Sequence, residues 1–326
     1  MRCPLTLALA LAAGPALASG FQFVEIPATG TEPPIEAAVW YPTEAAVPET
    51  PNTPFGQAVA MQAPVAGEGL PVVVLSHGDG GWFGGHAPLA RALAEAGMVA
   101  VALNHPGNSD GDETAPPSEW IAERPRHLAR VVAHFTGPWR GAAHVDAARI
   151  GAFGFSAGGH SVLAAAGLGM SHERLAAHCA DTPEEFACAS GMAPEVIAGA
   201  AELPPPLPYL RAVVAVAPGF GFGFEPAQIA GLDVDIQLWS GAADERVPDA
   251  TNAAPLAAAL SPPSEAHVIA DAGHFAFLPP CNPALQEANP RLWEMVCVDA
   301  PGFDRVAFQE RFTAEVTGFL AARLAP

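Results

Sequence analysis

The sequence predicts an α/β domain: a mostly parallel central sheet with helices on both faces and a small cap insertion. Three observations lead there. Short apolar or β-branched runs alternate with helical stretches from residue 71 onward. That rhythm breaks once, between about residues 169 and 208, and then resumes. Two of the run-to-stretch junctions, 76–81 and 154–159, are rich in glycine, as a chain must be where it turns sharply at the end of a strand.

Taken in order, residues 1–18 carry Arg2, an apolar stretch from Leu5 to Ala13, and Ala16-Leu17-Ala18 before Ser19, the pattern of an export signal cleaved near Ala18. The mature chain would then be periplasmic or secreted. The apolar stretch is too short to span a bilayer, and no later segment has roughly 18 uninterrupted apolar residues. Residues 21–26 and 35–41 read as two antiparallel strands around Gly30 and Pro33-Pro34. The Pro-, Gly- and Ala-rich stretch 42–70 has no periodicity and reads as a loop or wrapped arm.

The βαβ texture follows: strands at 72–76, 99–103 and 149–155, each with a helix after it, at 86–96, 123–136 and 157–168. The insertion holds polar helical turns, two cysteines and Pro204-Pro205-Pro206. Strands at 211–216, 236–240 and 266–270 and a helix over 304–324 complete one domain, 19–326.

Composition narrows the function. Half of the 326 residues are apolar and 15% charged, enough for a large core. Fourteen basic against 34 acidic residues give a formal charge of −20, which repels a phosphate backbone and argues against nucleic acid as a partner. Every basic residue is Arg, which removes a lysine nucleophile and a Walker-type phosphate lysine. Beyond the signal lie Cys179, Cys188, Cys281 and Cys297, an even number in an exported chain. Three pairings are open besides free thiols. The local ones, Cys179 with Cys188 and Cys281 with Cys297, are favoured because short loops close with little chain reorganisation. No C-x₂₋₄-C pair points to zinc.

The chemistry sits at three loops. Gly154-Phe155-Ser156-Ala157-Gly158 matches G-x-S-x-G between a strand and a helix, where a sharp turn projects the Ser hydroxyl at the helix N-terminus. A hydroxyl needs a base and a site for the developing oxyanion. The turn Ser76-His77-Gly78-Asp79-Gly80-Gly81 can bring a backbone N–H beside it, making the amides of Asp79 and Ala157 the expected donors. His77 lies too near the strand end to be the base and reads as a buried support. After strand 236–240 comes Asp244, and after strand 266–270 comes His274. Both fall at carboxyl ends of strands, where ligands of open α/β sheets gather. The order Ser156, Asp244, His274 is therefore a candidate triad. Asp249 and Glu245 remain alternative acids; Asp233 and Asp235 fall at the wrong end of their strand, and Asp271 shapes the loop of His274. His105 and His160 are the nearest competing histidines, with pocket-lining or structural roles favoured. Trp82, Phe83, Phe220, Phe222 and Phe224 are candidates for an apolar pocket wall, and Arg246 is placed where it could meet a carboxylate.

With these segments in hand, the chain resembles the α/β-hydrolase superfamily, and more narrowly the exported dienelactone-hydrolase-like and platelet-activating-factor-acetylhydrolase-like proteins. The matching segments are Val39-Trp40-Tyr41-Pro42, Ser76 to Gly81, Asn104-His105-Pro106-Gly107, Gly154 to Gly159, the Asp244 loop and Gly273-His274. Where a dienelactone hydrolase carries Cys at the elbow, this chain has Ser156. The resemblance implies hydrolysis of small-molecule carboxylic esters through an acyl-enzyme, with no metal and no organic cofactor. A catalytically silent binding protein and a peptidase or amidase of the same fold are the alternatives.

Overall fold

The computed structural model describes residues 17–199 and 202–326, so nearly all of the expected signal lies outside the described residues. Nine strands form one sheet in the order β3-β1-β2-β5-β4-β6-β7-β8-β9. Strands β1 (Ala18–Ile26) and β2 (Ile35–Thr43) form the antiparallel start, and β2 meets β5 (Val99–Leu103) antiparallel. From β5 onward every pairing is parallel: β4 (Leu70–Ser76), β6 (Val145–Phe155), β7 (Leu210–Val216), β8 (Asp235–Gly241) and β9 (Glu265–Ile269).

Parallel strands are covered on both faces, so they read as unbroken apolar runs rather than alternating ones. In β4 all seven residues are buried, yet their side chains still divide with period two. Val72 and Val74 face a core closed by α2 (Pro117–Phe135), α3 (Ala157–Ala165) and α7 (Ala253–Ala257). Val73 and Leu75 face the opposite core, closed by α1 (Ala87–Glu95) and α10 (Arg305–Arg323). Between α3 and β7 lie α4 (His172–Asp181), α5 (Phe186–Ala189) and α6 (Met192–Gly199), which share a third apolar cluster with Trp120, Phe220 and Phe222.

The differences from the sequence reading have local causes. The 42–70 stretch holds a two-residue strand, β3 (Ala60–Met61), too short to show periodicity; it pairs parallel to β1 and is tied down by Trp40 Nε1 donating to Gln57 Oε1 at 2.9 Å. Helix α2 starts six residues before the expected 123, because Pro117 occupies its first turn and Pro125 is carried inside it. Read linearly, those prolines look like breakers, although proline at the first helical position is favourable. Two further helices, α8 (Ala284–Ala288) and α9 (Pro290–Cys297), were not anticipated; Asn289 caps the second by accepting from Leu292 N–H at 3.1 Å. Cys179 is bonded to Cys188 and Cys281 to Cys297, the local pairing. Among the described residues no helix is long and apolar enough to cross a membrane.

Helix α10 is held to the sheet by an aromatic cluster in which Phe312 meets Phe153, Trp239, Phe277 and Phe308. Phe312→Ala leaves a cavity that this rigid surround cannot close, and we expect a loss of about 3–5 kcal/mol in urea-unfolding free energy.

Candidate active site

Strand β6 runs straight into α3, and Ser156 is the hinge between them. Its backbone sits at φ 56° and ψ −116°, a strained conformation for a residue with a side chain. The turn can be that tight only because its neighbours lack Cβ atoms: one on Gly154 would strike the Gly158 carbonyl, and one on Gly158 the Ser76 carbonyl. Hydrogen bonds fix the bend, with Ser156 N–H donating to Val216 O at 2.8 Å and the Ser156 carbonyl accepting from Gly219 N–H at 3.0 Å.

The Ser156 hydroxyl lies 3.0 Å from His274 Nε2, and His274 Nδ1 lies 2.7 Å from Asp244 Oδ2. Beside a carboxylate, Nδ1 carries the proton and donates it, which leaves Nε2 free to accept from the Ser156 O–H. The other Asp244 oxygen accepts from the backbone N–H groups of Arg246 and Val247 at 2.9 and 2.8 Å. Asp244 is 5% and His274 8% exposed, so water competes little for this chain of bonds. The alternative acids are engaged elsewhere or face solvent: Asp249 accepts from Ser240 Oγ at 2.6 Å, and Glu245 is exposed. Asp235 opens β8 and pairs with Arg323 at 3.2 Å, and Asp271 adopts φ 59° in the turn before His274.

Asp79 and Ala157 line the same cavity as Ser156 and His274. Among the described residues neither backbone N–H donates to a protein acceptor, so both stay free to meet a developing oxyanion. The cavity measures about 430 Å³ and shares Gly78, Asp79, Phe155, Phe275 and Leu278 with a second lobe of about 920 Å³.

Of the expected wall residues only Phe220 lines the lobe that holds Ser156. Trp82 lines the second lobe, beside Phe55. Phe83 packs against Phe23 on the far side of that turn, because its N–H is tied to Asn104 Oδ1 at 2.8 Å. Phe222 stacks on His178 with centroids 3.9 Å apart, and Phe224 stacks on His160 at 4.8 Å; neither reaches the cavity. The remaining wall comes from Trp120, Phe186, Met192 and Met295, on helices brought in from distant parts of the chain. Phe275 directly follows His274, and that adjacency was the one available sequence signal. Arg246 lies between the rings of Phe186 and Phe275, 4.7 and 5.0 Å from their centroids.

Around the 76–81 turn and on α3 lie buried histidines whose rings bond neither Ser156 nor Asp244. His105 Nε2 meets Ser76 Oγ at 2.8 Å, and its Nδ1 faces His127 at 3.3 Å. Burial pushes His86, His127 and His160 down to about 3, and burial with the nearby Arg124 charge holds His77 and His105 well below the ordinary histidine value. All five are neutral at pH 7, supporting the structural reading of His77, His105 and His160.

Because the folded histidine values lie below the unfolded value of about 6.5, the unfolded state binds more protons under acid conditions. Stability should hold above pH 6.5 and fall as pH drops toward 3. Each histidine that stays neutral contributes about 1.4 kcal/mol per pH unit of this loss, read as a falling urea midpoint. Gly158→Ala should lower the thermal midpoint and abolish any activity that depends on Ser156, since its Cβ meets backbone rather than a movable side chain.

No protein-family model matches the chain, and no curated protein matches it in sequence. Among solved structures, a ferulic acid esterase from Streptomyces cinnamoneus superposes with a TM-score of 0.57 at 17% identity, over 97% of this chain and 91% of that one. At that identity the likeness concerns the fold. With the strand order and the strand-to-helix elbow described above, it shows that this chain has the α/β-hydrolase fold.

Proposed function

We propose that the protein is a serine hydrolase of carboxylic esters, working through an acyl-enzyme on small to medium apolar esters. The observation that carries this reading is the continuous path from Ser156 Oγ to His274 Nε2 and from His274 Nδ1 to Asp244, opening on an apolar cavity. A ferulic acid esterase among proteins of like fold is consistent with ester chemistry and with room for an aryl group. The narrower kinship with exported dienelactone-hydrolase-like and platelet-activating-factor-acetylhydrolase-like proteins belongs to the same proposal. Two disulfides suit an exported protein. Residues 169–208 serve as the cap, since Glu185, Phe186, Ala187 and Met192 reach the cavity from that segment.

In this mechanism Ser156 Oγ adds to the ester carbonyl carbon while its proton passes to His274 Nε2. Asp244 holds the imidazole orientation and steadies the imidazolium. The carbonyl oxygen, now an anion, accepts from the N–H groups of Asp79 and Ala157. Collapse of this adduct breaks the bond to the leaving alkoxide, which takes the proton from His274 and departs as the alcohol. Water then adds to the acyl-serine with His274 again as base. The second collapse releases the carboxylic acid and restores the Ser156 hydroxyl.

Fluorophosphonate labelling tests the reading. The folded protein should label stoichiometrically and Ser156→Ala should not; an unlabelled folded wild type would overturn it. Asp244→Asn should lower kcat about 10⁴-fold, and rates across p-nitrophenyl esters of increasing acyl length should show how much of the two-lobed cavity is used.

A further inference from the structure

Arg124, on α2, is the most deeply enclosed charge described in the molecule: 0% exposed, with no carboxylate in ion-pair range. Its Nη1 donates to the His77 carbonyl at 2.9 Å and its Nη2 to the Gly78 carbonyl at 2.9 Å, with a longer bond of 3.5 Å to Asn108 O. Its Nε has no partner, and the Trp120 ring lies 5.6 Å from its guanidinium carbon. Desolvating a guanidinium for backbone carbonyls and a neutral histidine ring, with the Asp79 carboxylate as a counter-charge beyond ion-pair range, is unfavourable, so the fold would gain from an apolar residue here unless the charge has a task.

The task follows from peptide geometry. In a trans peptide the C=O and the N–H of the next residue point in opposite directions. The Gly78 carbonyl is drawn back toward α2 by Arg124, and two further donors hold it there. His77 Nδ1 lies 2.7 Å from Gly78 O and 3.0 Å from Arg124 Nη2; because Nε2 accepts from His105 N–H at 3.3 Å, the proton falls on Nδ1, which donates to the same carbonyl that Arg124 grips. Gly81 N–H also donates to it at 3.1 Å. With its oxygen pinned on the buried side, this peptide must direct the Asp79 N–H toward the cavity that holds Ser156.

We propose that Arg124 is a positioning residue for the oxyanion site: it locks the Gly78–Asp79 peptide and polarises it, so that a buried positive charge reaches the transition state through one amide. This rests on the reading of Ser156 as nucleophile. It assigns Arg124 no contact with substrate and no proton transfer. Burial draws the guanidinium down to about 9, so it remains charged at neutral pH. Because the charge already faces the carbonyl in the free protein, little reorganisation is needed when the oxyanion forms.

A trifluoromethyl ketone, which forms a tetrahedral oxyanion on an active serine, is the probe. In wild-type protein labelled with ¹⁵N arginine, its adduct should shift the Arg124 Nη–H resonances, assigned by their absence in Arg124→Lys. An adduct that forms without moving them overturns the proposal while leaving the esterase reading intact, whereas no adduct at all counts against that reading itself. Arg124→Gln should lower kcat by about 10²-fold, the loss expected for one oxyanion donor, and weaken the ketone by a similar factor. KM and the acid limb of the kcat/KM profile, which reports the base, should stay put. Arg124→Lys keeps the charge and should recover part of the loss. If the fraction of Arg124→Gln that titrates with fluorophosphonate turns over at the wild-type rate, Arg124 is only structural and the proposal fails. Because the resonance experiment uses wild-type protein, it decides the matter even if Arg124→Gln does not fold.

Discussion

The rest of the structure depends on a close approach of backbones at the end of β6. To present Ser156 from an elbow, α3 must leave the sheet so steeply that its first turn presses on the Ser76 carbonyl and its flank on Val216 and Pro218. Glycines at 154, 158 and 159 make room for that contact, and Ser156 itself carries the strain, of order 1–3 kcal/mol for such backbone. A strained hinge persists only when its surroundings leave it no alternative. Here the two flanking strands are buried on both faces, and each end of the hinge is held by hydrogen bonds to the neighbouring strand and its loop.

Two electrostatic regimes meet at that hinge. On the cavity side a single imidazole is paired with a carboxylate whose second oxygen is held by two backbone N–H groups, so the ring has one orientation and one favoured tautomer. On the buried side five histidines are kept neutral and a guanidinium is matched to backbone carbonyls and the His77 ring, with no carboxylate in ion-pair range among the described residues. The turn at 76–81 separates these regimes, and its peptide groups are the route by which one can influence the other. A buried polar network of this kind is costly when incomplete, and its bonds converge on the carbonyls of His77 and Gly78 rather than spreading through the core.

The cavity is assembled differently from the proposed catalytic groups. Those groups follow the carboxyl ends of β6, β8 and β9, within one run of parallel strands, β6 to β9, whose register holds them rigidly. The walls come from helices outside the sheet, α5 and α6 on one side and α9 on the other, with disulfides at Cys188 and Cys297 tying α5 and α9 to nearby chain. Chemistry is thus placed on the stiffest part of the molecule and substrate contact on its periphery, as when one fold serves many substrates.

The sequence by itself determined the strand-helix alternation, the elbow and the chain order of Ser156, Asp244 and His274, and it favoured the local cysteine pairing while leaving the others open. Each of these is encoded over a few residues, by apolar runs, glycine turns or short loop closure. Tertiary structure alone decided the pocket. Trp82, Phe83, Phe220, Phe222 and Phe224 look alike as aromatic residues beside glycine turns, yet only Phe220 faces Ser156, because the turn direction and the stacking partner of each ring are set by chain that is far away in sequence. Arg124 shows the same limit. In sequence it is one arginine of a helix interrupted by proline, and only packing of α2 beneath the 76–81 turn brings its guanidinium against the His77 and Gly78 carbonyls. Local pattern fixes what a segment becomes; which groups meet depends on long-range packing, whose contacts leave no periodic trace.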